Sequence, residues 1–289
     1  MEFTEVNVLR ERLLTNELLE SFREHLLLEE RSTATIEKYC RDTDHFARFA
    51  SGEWITKEIT ISYKNKLKEE GYKVRSINSM LAAVNSLFAF LGWHDLKVKT
   101  IKVQQEIFCP EDKELTRAEY ERLVKTAGAK HNERLSLLIQ TICCTGIRVS
   151  EIPFITVEAV KQGLATVDLK GKTRSVFIVK GLRKALLRYS AENGIKTGSI
   201  FITRRGKTLS RSNIWRDMKA LCMDANVNPR KVFPHNLRHL FARVFYGIEK
   251  DIAKLADILG HSSINTTRIY IISSGNEHRR CMESMRLLI

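Results

Sequence analysis

The chain has 289 residues, 43% of them apolar, and a formal net charge of +14 with a pI near 9.6. That length allows two cores. No stretch approaches the roughly 18 apolar residues of a membrane span, and MEFTEVNVLR is no cationic leader, so we expect a soluble cytoplasmic protein with no membrane partner.

The basic surplus is unevenly placed. Of 48 Lys and Arg and 34 Asp and Glu, residues 1–105 hold 16 of each, which leaves 32 against 18 in residues 106–289. A surplus confined to one part of a chain suits a polyanion, and nucleic acid is the expected partner. Six cysteines (Cys40, Cys109, Cys143, Cys144, Cys222, Cys281) form no CxxC pair, so neither a disulfide framework nor a zinc ribbon is indicated.

Helical periodicity dominates residues 14–93. Leu18, Leu19, Phe22, Leu26 and Leu27 make one stripe, and Ile36, Tyr39, Cys40, Phe46 and Phe49 the next. Ser32 or Thr33 is placed to cap the second of these helices, and Ser76 to start one running through Ile77, Leu81, Val84 and Phe88 to Gly92. A bundle of about four helices is expected over residues 1–105. The polar stretch around Pro110 reads as a linker over 106–112, and a second domain follows over 113–289.

Thr116 and Glu119 have capping-box spacing at that domain's first helix. An apolar helix over 133–144 must stop at Gly146, and Arg148 then opens a short turn with Glu151 three residues on. An arginine there is a candidate phosphate clamp, because a guanidinium grips two oxygens at once. The period changes to two over 164–179, with a tight turn at Lys170-Gly171-Lys172 between short strands. A helix over 182–189 leads to a strand, SIFIT, and a second basic turn, RRGK, at 204–207, after which Ser210 or Ser212 caps another helix.

Pro234 opens a helix on which His235 and Arg238 share a face, with His239 beside them. The next helix, Asp251 to Leu259, ends at Gly260 and delivers His261 just beyond it, and Ser263 caps a last short helix carrying Thr266, Thr267 and Tyr270. From about residue 271 the chain becomes a polar step and then an amphipathic tail carrying Met282, Met285, Leu288 and Ile289.

Taken together, TGIRVSE, the hairpin lysine, PHNLRHLFA and LGHSSINTTRIY closely resemble, in order and spacing, the signature of tyrosine recombinases, the phage integrase family. STATIEKYCRDTDHFARF resembles that family's helical core-binding domain. The resemblance implies a mainly α chain with a small β-hairpin: a helical DNA-binding domain followed by a mixed α/β catalytic domain. It implies cleavage and rejoining of double-stranded DNA through a 3′-phosphotyrosyl bond, with no cofactor and no metal, by a homo-tetramer on paired sites, a dimer to each. Tyr270 would be the nucleophile. Arg148, Arg238 and His261 would stabilise charge on the phosphate, and His235 would be the base that a tyrosine of pKa near 10 requires. Lys170 would protonate the leaving 5′-oxygen, with Lys172 the alternative because the turn is compressed. Glu151 would orient Arg148. Arg174, Arg204, Arg205 and Lys207 are the expected DNA contacts, the tail would dock on a neighbouring protomer, and the protein would sit on the nucleoid. Arg243 stands where the family more often has a small or apolar residue.

Three other readings fit parts of the pattern. His235 and His239 at i and i+4 could share a zinc ion with a cysteine, although no glutamate completes a hydrolase motif. A DNA-binding regulator could keep the fold without cleaving. A type IB topoisomerase would share the nucleophile but not the recombinase-like N-terminal domain.

Overall fold

The computed structural model describes residues 12–103, 114–169, 172–271 and 282–285. The chain divides into two compact units, Met1–Gln105 and Glu106–Ile289.

The first unit carries four helices among its described residues: α1 (Asn16–Leu28), α2 (Thr33–Ala50), α3 (Lys57–Glu69) and α4 (Val74–Phe90). The apolar stripes explain the packing. Ile77, Leu81, Val84, Leu87 and Phe88 bury one face of α4, which packs against α2 and α3, and full burial of each such side chain contributes about 1.5–3 kcal/mol. Caps are less uniform than expected. Thr15 and Thr56 accept from backbone amides at the starts of α1 and α3. Ser32 does precede α2, but its hydroxyl pairs with Thr35 Oγ1 at 2.8 Å rather than with a backbone amide. The helix expected to begin at Ser76 begins instead at Val74, behind Lys73, with no side-chain cap. Burial of Ile77 one turn in, rather than a cap, sets that start.

The second unit begins its described part with α5 (Arg117–Ala129), started by the full Thr116–Glu119 capping box. Next come α6 (Glu133–Thr145), a 3₁₀ turn at Val149–Phe154, and α7 (Val157–Gln162). Strands β1 (Leu164–Leu169) and β2 (Lys172–Phe177) form an antiparallel pair in which Leu164 faces Phe177 and Val167 faces Arg174. Then follow α8 (Lys180–Glu192), α9 (Arg211–Ala220), α10 (Pro234–Glu249), α11 (Ile252–Leu259) and α12 (Ile264–Ile271). Helices α5, α9 and α11 start at Thr116, Ser210 and Asp251, each accepting from a backbone amide.

The chain is mainly helical with one small hairpin, as its periodicity implies. SIFIT is a departure, because it forms no strand. Ser199 and Ile202 make isolated bridges to Thr156 and Thr208, while Ile200 and Phe201 are fully buried and Ile200 N–H donates to Ile155 O at 3.0 Å. An apolar run can satisfy its burial as an extended segment threaded through a helical core, without a ladder. Among the described residues no helix is long and apolar enough to cross a membrane.

Candidate active site

The site is assembled on the C-terminal ends of two helices. α6 stops at Gly146, whose φ of +63° is a left-handed conformation costly for other residues. Space demands glycine as well, since a Cβ there would meet Phe241 Cδ1 at 2.5 Å and Leu259 Cδ2 at 2.9 Å. Arg148 follows. Its backbone N–H donates to Glu151 Oε2 at 2.8 Å and its Nη1 to Glu151 Oε1 at 2.9 Å, so the short turn orients the guanidinium. Glu151 is 2% exposed. Burial pushes its pKa up, but hydrogen bonds from Arg174 and Arg148 outweigh that and hold the carboxyl below its ordinary value.

α11 ends at Gly260, again with φ +63°. The last carbonyls of a helix lack donors of their own and form the negative end of its dipole. Here three successive carbonyls each take a different arginine. Ile258 O accepts from Arg174 Nη1 at 2.7 Å, Leu259 O from Arg238 Nη2 at 2.7 Å, and Gly260 O from Arg148 Nη2 at 3.1 Å.

Arg238, from α10, is 1% exposed. Its Nη1 donates to Gly146 O and its Nη2 also approaches His261 Nε2 at 3.0 Å. Burial first, and the Arg148 charge second, lower its pKa to about 10, which leaves it charged at neutral pH. Its Nε is buried and meets no acceptor among the described residues.

The contacts fix the His261 tautomer. A guanidinium only donates, so Nε2 is the bare nitrogen and Nδ1–H donates to Thr267 Oγ1 at 2.9 Å. Burial, then Arg238 and Arg148, take the His261 pKa down to about 4. Thr267, fully buried on α12, is a residue the sequence pattern left unassigned. Its signal was available: it lies one turn before Tyr270 on the same helix face.

Tyr270 is 6% exposed and surrounded by imidazoles. His239 stacks on it at 4.2 Å and 21°, His235 lies edge-on at 5.2 Å, His261 at 5.1 Å, and Arg238 Cζ stands 5.9 Å from its ring centre. Burial, then His235 and the cations Arg243 and Arg238, lower the His239 pKa to about 3. Partial burial, then Arg238 and Arg148, also lower that of His235. His235 and His239 do lie together, at 4.7 Å between rings. Among the described residues, however, no three His, Cys, Asp or Glu side chains are grouped to hold a metal.

The structure therefore brings Arg148, Glu151, His235, Arg238, His261 and Tyr270 into one place. Lys170 lies outside the described residues, and Lys172 is described only by its backbone, paired with Leu169 at the start of β2. Arg204, Arg205 and Lys207 are exposed on their turn. Arg174 is not: its side chain is 11% exposed and its nitrogens go to Glu151 and Ile258. Arg243, unexplained by the sequence, ties α10 to the start of the unit through the Glu114 carboxylate and Leu115 O.

Residues 113–277 match the model of the phage integrase family, and residues 19–95 match that of the phage integrase N-terminal SAM-like domain. The chain is 29% identical to a tyrosine recombinase XerA of Pyrococcus furiosus, over 97% of this chain and 98% of that protein. It is 28% identical to a tyrosine recombinase XerC of Herpetosiphon aurantiacus, over 87% and 89%. Among solved structures, a XerA recombinase superposes with a TM-score of 0.54 at 26% identity, covering 96% of this chain and all of that one. A lambda integrase dimer bound to a core site gives 0.72 at 18% identity, over 90% and 95%, a likeness of fold.

Proposed function

Because the chain belongs to the phage integrase family, and is a tyrosine-type site-specific recombinase acting on DNA, we propose that Tyr270 is its nucleophile. The observation that carries this is the pairing of Tyr270 with Arg238, a buried arginine whose Nε has no acceptor among the described residues and whose guanidinium stands over the tyrosine ring. A buried, unspent guanidinium donor beside the tyrosine is placed to receive an acceptor, and a DNA phosphate is the acceptor this chemistry requires.

In the proposed reaction Tyr270 Oη attacks the scissile phosphorus. A phosphotyrosyl bond forms, the bond to the 5′-oxygen breaks, and Lys170, or Lys172 in its place, supplies the proton that leaves with that oxygen. His235 is neutral at pH 7, as its lowered pKa implies, and so is able to accept the tyrosine proton. Arg148 and Arg238 neutralise charge growing on the nonbridging oxygens. His261 faces Arg238 with a bare Nε2 in the free protein, and an incoming phosphate would take its place as the arginine's acceptor. The covalent intermediate conserves the bond energy, so a second 5′-hydroxyl reverses the step on another strand.

The test is a nicked suicide duplex, which traps the intermediate. Wild-type chain becomes covalently attached and Tyr270→Phe binds without attachment; an adduct with the phenylalanine variant means the nucleophile is elsewhere.

We also propose that the chain works as a tetramer joined by its tail. Met282 and Met285 are 70% and 57% exposed, and an open apolar groove in the second unit, lined by Tyr120, Leu240, Phe241, Val244, Phe245 and Ile248, suits such an end. If deletion of residues 276–289 leaves synaptic tetramers and cleavage intact, the tail has no such role.

A further inference from the structure

Of the three arginines on the α11 carbonyls, Arg174 is the one the chemistry leaves without a task. A basic residue on a hairpin invites the reading of a DNA contact, but the packing is against it. Arg174 shares a strand face with Val176, which is 2% exposed, while Phe177 on the other face is 67% exposed. Period two therefore sends Arg174 inward.

Every donor nitrogen of Arg174 is spent on protein. Nη2 donates to Glu151 Oε2 at 2.5 Å, Nε reaches Oε1 at 3.4 Å, and Nη1 donates to Ile258 O at 2.7 Å. The stem is fitted as closely as the head, because a Cβ on Gly260 would lie 2.3 Å from Arg174 Cδ. Gly260 thus serves both the left-handed C-cap and the passage of this side chain. Two functional groups hang on what Arg174 holds. Glu151 grips Arg148 with the oxygens that Arg174 also binds, and the α11 terminus both accepts from Arg148 at Gly260 O and delivers His261.

We propose that Arg174 is a positioning residue for strand transfer, which braces Glu151 and the α11 terminus so that Arg148 stands correctly on the scissile phosphate. It rests on the reading of the site as a recombinase centre. Arg174 touches no substrate. Its removal frees Glu151 to turn from Arg148, unpairs Ile258 O and opens space beside Gly260, and a misplacement of about 1 Å at a reacting group costs on the order of 100-fold in rate.

The experiment uses the full chain and a nicked duplex containing the DNA that Tyr270→Phe occupies in its host. Adduct formation is timed at saturating protein on two substrates, one with a natural scissile phosphate and one with a neutral methylphosphonate there. Arg174→Met is expected to slow the natural reaction by about 30–100-fold, with DNA affinity within about twofold of wild type, and Arg174→Lys to recover part of the rate. On the methylphosphonate, which carries less charge for Arg148 to neutralise, the deficit should shrink several-fold. An equal deficit on both substrates overturns the proposal, since the loss would then not pass through phosphate stabilisation. So does an unchanged saturated rate, whether or not affinity falls. If Arg174→Met does not fold, Arg174→Lys is judged by the same two-substrate comparison. A wild-type chain that forms no tyrosine-linked adduct overturns the underlying reading, and this proposal with it.

Discussion

The two units of this chain are held together by different means. In the helical unit Phe46 sits fully buried, edge-on to Tyr63 at 5.0 Å and to Phe88 at 5.7 Å, with Leu67, Ile77, Leu81 and Val84 around them. In the larger unit a comparable apolar core supports a second layer in which Glu151, Asn236, Arg238 and Thr267 are buried beside the imidazoles of the site. The first arrangement maximises dispersion and water exclusion. The second takes charges out of water, at a cost that only good hydrogen bonds offset. A unit with this many buried polar groups beside its imidazoles is not packed for volume alone, and its stability should respond to protonation of those imidazoles, whereas the first unit's buried charge, Asp42, is paired with Lys38.

The largest expected effect tests the volume side. Phe46→Ala should cost about 3–5 kcal/mol, the usual penalty for removing a buried aromatic ring, read by chemical denaturation. Hydrogen exchange should lose protection within residues 12–103 while 114–271 stay as protected as before. If both regions loosen together, the units do not differ in the way described, because they unfold as one.

Next in size is pH. His239 and His261 are held neutral in the folded state, at pKa about 3 and about 4, mainly by burial. Their unfolded values lie near 6.5. Above that pH both states are neutral and nothing is lost; as pH falls below it the unfolded chain gains protons that the folded chain refuses, so stability falls. At pH 5 the loss should be about 1–2 kcal/mol after discounting for partial exposure, and confined to the larger unit. Glu151, with its lowered pKa, titrates below this window. Equal stability at pH 7.5 and pH 5, or a loss confined to residues 12–103, would contradict the assignment.

What could be read from the sequence was what is local. The Thr116–Glu119 box, the glycine stops at 146 and 260 and the His235–Arg238 spacing depend on residues within one turn of each other, and all appear in the structure. The acceptors of Arg148, Arg174 and Arg238 did not, because they are backbone carbonyls, which carry no identity in a sequence. Arg174 shares the strand phase of buried Val176, and that period, rather than its charge, decides that its nitrogens go to Glu151 and Ile258 O. The start of α4 at Val74 rather than Ser76 shows tertiary burial overriding a cap. SIFIT shows the limit of an apolar run as a strand signal, since burial and ladder pairing come apart there.

The smallest expected effect concerns the charge that the larger unit leaves outside. Arg174 and Arg238 are drawn into the interior of the larger unit, so the cations that a duplex meets first are the exposed ones. Arg204, Arg205 and Lys207 are exposed on a turn closed by the Thr203 N–H to Lys207 O bond of 2.7 Å. Among the described residues no hydrogen bond or ion pair holds these three side chains, and the turn offers three cations to a phosphate backbone. A single exposed phosphate contact is worth little, and the measurable trace of its loss is in the salt dependence. Arg205→Ser should weaken DNA binding only severalfold and lower the slope of log K against log salt by about one. Adduct formation at saturating protein should stay unchanged, because the proposed chemistry uses Arg148, Arg238 and Tyr270 and none of the three turn cations. An unaltered slope would mean that this turn faces away from the duplex, and that the surplus charge of the larger unit meets DNA elsewhere.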